Sequence, residues 1–114
     1  MIEINYTKPN PQGGTLNGTM RVIGKDIFLL TVDNPYTQEV VANLVKKGAK
    51  ITKDSRNRWM KVDIFSSHAS KEFKLGAHSF NIETTPEKDI EKIIGEFYYL
   101  SFVKAGFKCI YKNV

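Results

Sequence analysis

The sequence predicts an α+β fold: a mostly antiparallel sheet of about six strands with two helices, at about 35–47 and 85–105, in the order βββα-ββ(β)-αβ. Three observations predict it. Apolar residues alternate with polar ones through the first third of the chain, the period of a strand with one buried face. Two segments switch to helical spacing, each with a recognisable start and stop. The stretch between them returns to short alternating runs, so helices and strands do not alternate as they do in a parallel sheet.

The first strand carries Ile2, Ile4 and Tyr6 against Glu3 and Asn5. Lys8-Pro9-Asn10-Pro11-Gln12-Gly13-Gly14 is a connector by composition. Its Gly pair lacks the Lys-Ser/Thr that a phosphate loop needs. Strands follow at about 18–23 and 26–33. Met20 and Val22 alternate with Arg21, and Phe28, Leu30 and Val32 alternate with Leu29 and Thr31. Gly24-Lys25-Asp26 between them suits a hairpin, with Gly at the first turn position. Asn34-Pro35 opens the first helix, Asn as the cap and Pro where no hydrogen bond is lost. Tyr36, Val40, Val41, Leu44 and Val45 keep helical spacing, and Gly48 ends it.

A short strand is expected around Ile51, then a turn-like run Asp54-Ser55-Arg56-Asn57, then a strand from Arg58 to Phe65. In that strand Met60, Val62 and Ile64 form the apolar face. Trp59, Lys61, Asp63 and Phe65 take the other, which is expected to be half exposed. Phe73 and Leu75 predict a further strand with a bulge or bend at Gly76, continuing through His78, Phe80 and Ile82. Thr84-Thr85-Pro86-Glu87 offers two ways to cap the second helix. Its apolar stripe takes in Ile90, Ile93, Ile94, Phe97, Leu100 and Val103, wide enough to lie across a sheet. Gly106 stops it, and Phe107, Cys109 and Tyr111 alternate with lysines and Ile110 as a final strand. Both helices are expected on one face, leaving the other partly open or in use.

At 114 residues the chain is expected to form a single domain spanning 1–114. No apolar run reaches the length of a membrane span, and the first residues, MIEINYTKP, lack the charged-then-apolar order of a signal peptide. Cys109 is the only cysteine, so no internal disulfide is possible and a reducing, cytoplasmic setting is expected.

Chemistry-bearing patterns are few. His68, His78 and Cys109 show no metal-ligand spacing. Ser66-Ser67-His68 sets a hydroxyl beside an imidazole in sequence only, and Cys109 alternates with lysines on a strand, its thiol expected inward and inert. The acids of the second helix sit where the helix dipole favours them. No cofactor fingerprint appears, and no reaction is indicated.

One stretch departs from the average. Lys46, Lys47, Lys50, Lys53, Arg56, Arg58 and Lys61 are seven bases against one acid, Asp54, a net +6; the whole chain carries +5, so the rest sums to −1. The only Trp, Trp59, lies inside this run. Cations that neutralise phosphates and an indole that stacks on an unpaired base make a nucleic-acid contact, single strands favoured over duplex. The lysines would hold phosphates, Arg56 and Arg58 a phosphate or a base edge, and Trp59 would stack. The bland counterpart is a solvated basic turn with Trp59 packed inside, and the helix dipole alone accounts for Lys46 and Lys47. A third reading is an adaptor or inhibitor that meets an acidic surface on another protein, since Trp and Arg are enriched at interface hot spots. The sequence leads to a small, non-enzymatic binding domain, with no cofactor and no membrane.

Overall fold

Ile2, Ile4 and Tyr6 all turn to one side of strand β1 (Ile2–Pro9), where they are buried. The computed structural model describes residues 1–30, 34–53, 58–64 and 72–114. Strand β2 (Thr15–Ile23) pairs antiparallel along all of β1, with Ile2 opposite Val22, Ile4 opposite Met20 and Tyr6 opposite Gly18. The expected hairpin follows. Strand β3 (Asp26–Leu30) pairs antiparallel with β2, and Gly24 adopts φ +58 at the first turn position. The expected continuation to residue 33 falls outside the described residues.

That turn decides which side of β3 is buried. It sets Ile23 opposite Asp26 and Val22 opposite Ile27, so Ile27 and Leu29 join Val22 and Met20 in the core. Phe28 and Leu30, the set that alternation picks out, face the other way and are half-buried. Both parities of this strand are apolar, so hydrophobicity cannot choose between them. The register fixed by the turn does.

Helix α1 (Pro35–Lys46) starts as predicted. The Tyr36 N–H donates to the Asn34 side-chain oxygen at 3.0 Å, and Gly48 takes φ +97 just beyond the C-terminus. Strand β4 (Lys50–Lys53) is the short strand expected around Ile51. Strand β5 (Trp59–Asp63) lies between β4 and β3 and pairs antiparallel with both.

The next two strands correct the sequence reading. Among the described residues, strand β6 (Glu72–Leu75) and strand β7 (His78–Asn81) pair with each other as a separate small sheet. Gly76, φ +62, is therefore the turn of a hairpin rather than a bulge within one strand. Phe73 faces Phe80 across it, ring centroids 5.7 Å apart.

Helix α2 (Glu87–Lys104) carries Glu87 and Asp89 in its first turn as expected, but neither Thr84 nor Thr85 caps it. Pro86 occupies the cap position with no side-chain hydrogen bond. Upstream, the Asn81 side-chain oxygen accepts from the Glu83 and Thr84 N–H groups at 2.9 and 3.1 Å, a local turn that fixes the chain's approach instead. The helix buries Ile90, Ile94, Gly95, Tyr98 and Phe102, whereas Leu100 is 62% exposed. The stripe that meets the sheet is thus narrower than the run of apolar letters. Strand β8 (Lys108–Asn113) then pairs antiparallel with β1.

The main sheet runs β4-β5-β3-β2-β1-β8. Helix α2 lies over β1, β8 and β2. Helix α1 is tied to the same side by a 2.5 Å hydrogen bond between the Thr37 and Tyr6 hydroxyls. Both helices cover one face, and the core lies between that face and them. Among the described residues, every side chain on the opposite face is half-buried or exposed, so no helix lies there. Among those residues, too, no helix is long and apolar enough to cross a membrane.

Candidate nucleic-acid interface

Cross-strand pairs share a face, so the registers place the outward side chains directly. One row crosses the sheet from edge to edge. Thr52 stands opposite Lys61, Lys61 opposite Phe28, Phe28 opposite Arg21, Arg21 opposite Glu3, and Glu3 opposite Lys112. A second row holds Trp59 opposite Leu30, and Asn5 between Thr19 and Ile110. A third sets Asp63 between Lys50 and Asp26. The face is about 24 Å wide, five strand spacings of about 4.8 Å.

Trp59 is half-buried here, neither sealed in the core nor fully exposed. The Arg21 guanidinium lies over its ring, 4.4 Å from the centroid. Arg21 also donates from Nε to Glu3 Oε1 at 2.9 Å. The carboxylate holds the guanidinium, and the guanidinium lies against the indole, so the three side chains form one connected group. A guanidinium over an indole is favourable by about 0.5–1 kcal/mol at an exposed site. Phe28 and Leu30 occupy the strand between these two side chains. They give the centre of the face an apolar surface that the Arg21 side chain spans. Lys61 approaches Asp26 at 3.8 Å, a pair too long and too exposed to contribute much.

The basic run from Lys46 to Lys61 is contiguous in sequence but not on the surface. Lys50, Trp59 and Lys61 share the outer face. Lys46 and Lys47 end the first helix, on the other side of the sheet. Lys53 is exposed on the edge strand but stands opposite Met60, with the inward parity. Arg58 is exposed just before β5, and Arg56 lies outside the described residues. A helix end and an edge strand intervene between the first and last of these residues, and each redirects the side chains.

Sequence reasoning missed Arg21 and Phe28, which the sheet brings beside Trp59 from two other strands, and Lys108 and Lys112 at the far edge. The available signal was Arg21 itself, the one charge between Met20 and Val22, which marks the outward side of its strand. Three carboxylates, Glu3, Asp26 and Asp63, share the face and reduce its net charge.

Other chemistry is sparse. Among the described residues no cluster of three His, Cys, Asp or Glu side chains is close enough to hold a metal ion. His78 is exposed, and His68 lies outside the described residues. Burial pushes the Cys109 thiol up, away from the thiolate form, and it contacts the Phe107 carbonyl at 3.7 Å. No known family model matches this chain, and no curated protein or solved structure matches it either.

Proposed function

We propose that this is a non-enzymatic binding domain that takes single-stranded nucleic acid across the uncovered face of its sheet. The observation that carries the reading is the stacked Arg21–Trp59 pair at the centre of that face. Bases stack on aromatic rings and on guanidinium planes alike. Such a platform accepts any base, because every base has a π-face. Lysines lie on both sides of it, Lys50 and Lys61 toward one edge and Lys108 and Lys112 toward the other. A strand running across the sheet would meet cations before and after the stack. Lys46, Lys47 and Lys53 contribute long-range attraction in this reading rather than contacts. A reducing, cytoplasmic setting suits the single thiol.

A mobility-shift titration with single-stranded DNA, duplex DNA and RNA at two salt concentrations tests it. The expected result is binding to single strands that weakens with salt by roughly 0.7 log units per contacted phosphate for each tenfold rise. Trp59→Ala should lower that affinity about tenfold or more, the loss of one stacked base, while the unfolding midpoint moves little. A salt-insensitive complex, or an affinity unchanged by the substitution, contradicts the reading.

One observation favours a second reading. Ile110 is 60% exposed on the edge strand β8, between the outward-facing Lys108 and Lys112. An apolar side chain flanked by cations at a sheet edge suits an adaptor or inhibitor that meets an acidic surface on a partner protein. In that case no oligonucleotide shifts at low salt, and a stoichiometric protein complex forms instead.

A further inference from the structure

The helix side of the molecule carries a separate depression. A cleft of about 370 Å³ opens between α1 and α2, with Leu75 of β6 at its base. That volume is at the small end of the range for ligand sites. Val40 and Leu44 form one wall and Phe97 the other. Among the described residues, the charged side chains lining it are Lys46 and Lys47, both exposed at its mouth, and none is a carboxylate.

Among the described residues, one polar group in the cleft has no hydrogen-bond partner. Tyr98 lines it, is only 6% exposed, and makes no hydrogen bond among the described residues. Buried hydroxyls are normally hydrogen-bonded, because one that loses water on folding and gains no partner keeps the full cost of desolvation. The neighbouring Tyr36 hydroxyl donates to the Ser101 carbonyl at 3.4 Å, a long bond. One face of the cleft is therefore apolar, its mouth is cationic, and one buried donor is left over.

We propose that this cleft binds a small aromatic carboxylate. Its ring lies against Val40, Leu44 and Phe97, Lys46 and Lys47 hold its anionic head, and the Tyr98 hydroxyl donates to one of its oxygens. Charge complementarity selects an anion, and an apolar wall facing an aromatic side chain selects a flat apolar body. The site is independent of the outer sheet face, since α1 lies on the other side of the sheet. It gives Lys46 and Lys47 a role that the helix dipole alone does not.

The test is a titration of the isotope-labelled protein with 2-naphthoate and with the neutral 2-naphthalenemethanol, followed by NMR. The expected result is saturable one-to-one binding of 2-naphthoate, with shifts confined to α1, β6 and α2, and about tenfold weaker binding of the alcohol. Lys46→Gln combined with Lys47→Gln removes that preference. Both side chains are exposed, so the fold is retained. Tyr98→Phe removes only the unsatisfied hydroxyl and weakens 2-naphthoate several-fold. Equal affinities for acid and alcohol overturn the proposal, as does an acid preference that survives loss of both lysines. So does the absence of saturable shifts in these elements into the millimolar range, including the case where a partner helix proves to occupy the cleft.

Discussion

Tyr6 shows how one side chain is specified from every direction. Its ring stacks on Phe102 with centroids 3.9 Å apart and meets Phe107 edge-on at 5.3 Å. Its hydroxyl bonds to Thr37, which lets a polar group sit at zero exposure. Burial pushes its ionisation up to about 12, although the Thr37 bond works against the shift. The remaining side is Gly18, directly opposite on β2. A Cβ there would run into the Tyr6 ring at Cζ and Cε2. Gly18 therefore allows the ring to lie flat across the neighbouring strand, and the ring covers backbone that glycine leaves bare. Gly18→Ala should cost about 3 kcal/mol, the upper range for overpacking, because Phe102 and Thr37 leave the ring nowhere to go. Equilibrium denaturation in urea measures it, and a loss below about 1 kcal/mol would show that the ring has other positions open to it. Alternation in the sequence places Tyr6 on the buried face, but its fit against Gly18 was not legible there, where Gly18 is one small residue between Asn17 and Thr19. A contact between two strands leaves no local signature.

Elements were easier to read than their faces. The caps and stops of α1, the hairpin at Gly24 and the stop at Gly106 are local chemistry, and the chain follows them. The inward side of β3 depends on register, and with Ile27, Phe28, Leu29 and Leu30 in succession only the turn decides it. That turn is itself tied to α2. The Gly24 N–H donates to Glu91 at 2.8 Å, and the amino group of Met1 lies 2.9 Å from the same carboxylate. Burial opposes ionisation of Glu91, but the Gly24 bond, the Met1 amino group and Lys88 outweigh it and hold its pKa below the ordinary value. A lowered carboxylate pKa stabilises the fold above the ordinary range and stops doing so as pH falls through the folded value. Glu91→Gln should therefore cost about 1–2 kcal/mol at neutral pH. The gap from the unaltered protein should close as the solution is acidified through that lowered value. Thermal unfolding across a pH series checks it, and a gap that persists in acid would show that the loss is steric rather than ionic.

At the scale of the whole molecule, the fold sorts the charge that the sequence gathers. The run from Lys46 to Lys61 is divided by the sheet, with Lys50, Trp59 and Lys61 on the open face and Lys46 and Lys47 at the mouth of the helix cleft. The sequence singled out Trp59, which stands half-buried on the open face, but not the side chains that lie beside it there. Arg21 and Phe28 come from other strands, and only pairing reveals them. The two faces thus differ in chemistry, with an aromatic and cationic surface on one side and an apolar cleft with a cationic mouth on the other. Since Trp59 is the chain's only tryptophan, its fluorescence reports on the platform alone. Titrating a short oligothymidine into the protein at low salt should quench that emission saturably, in step with binding followed by anisotropy of the labelled strand, and added salt should restore it. Binding that leaves the emission unchanged, or no binding at low salt, contradicts the account.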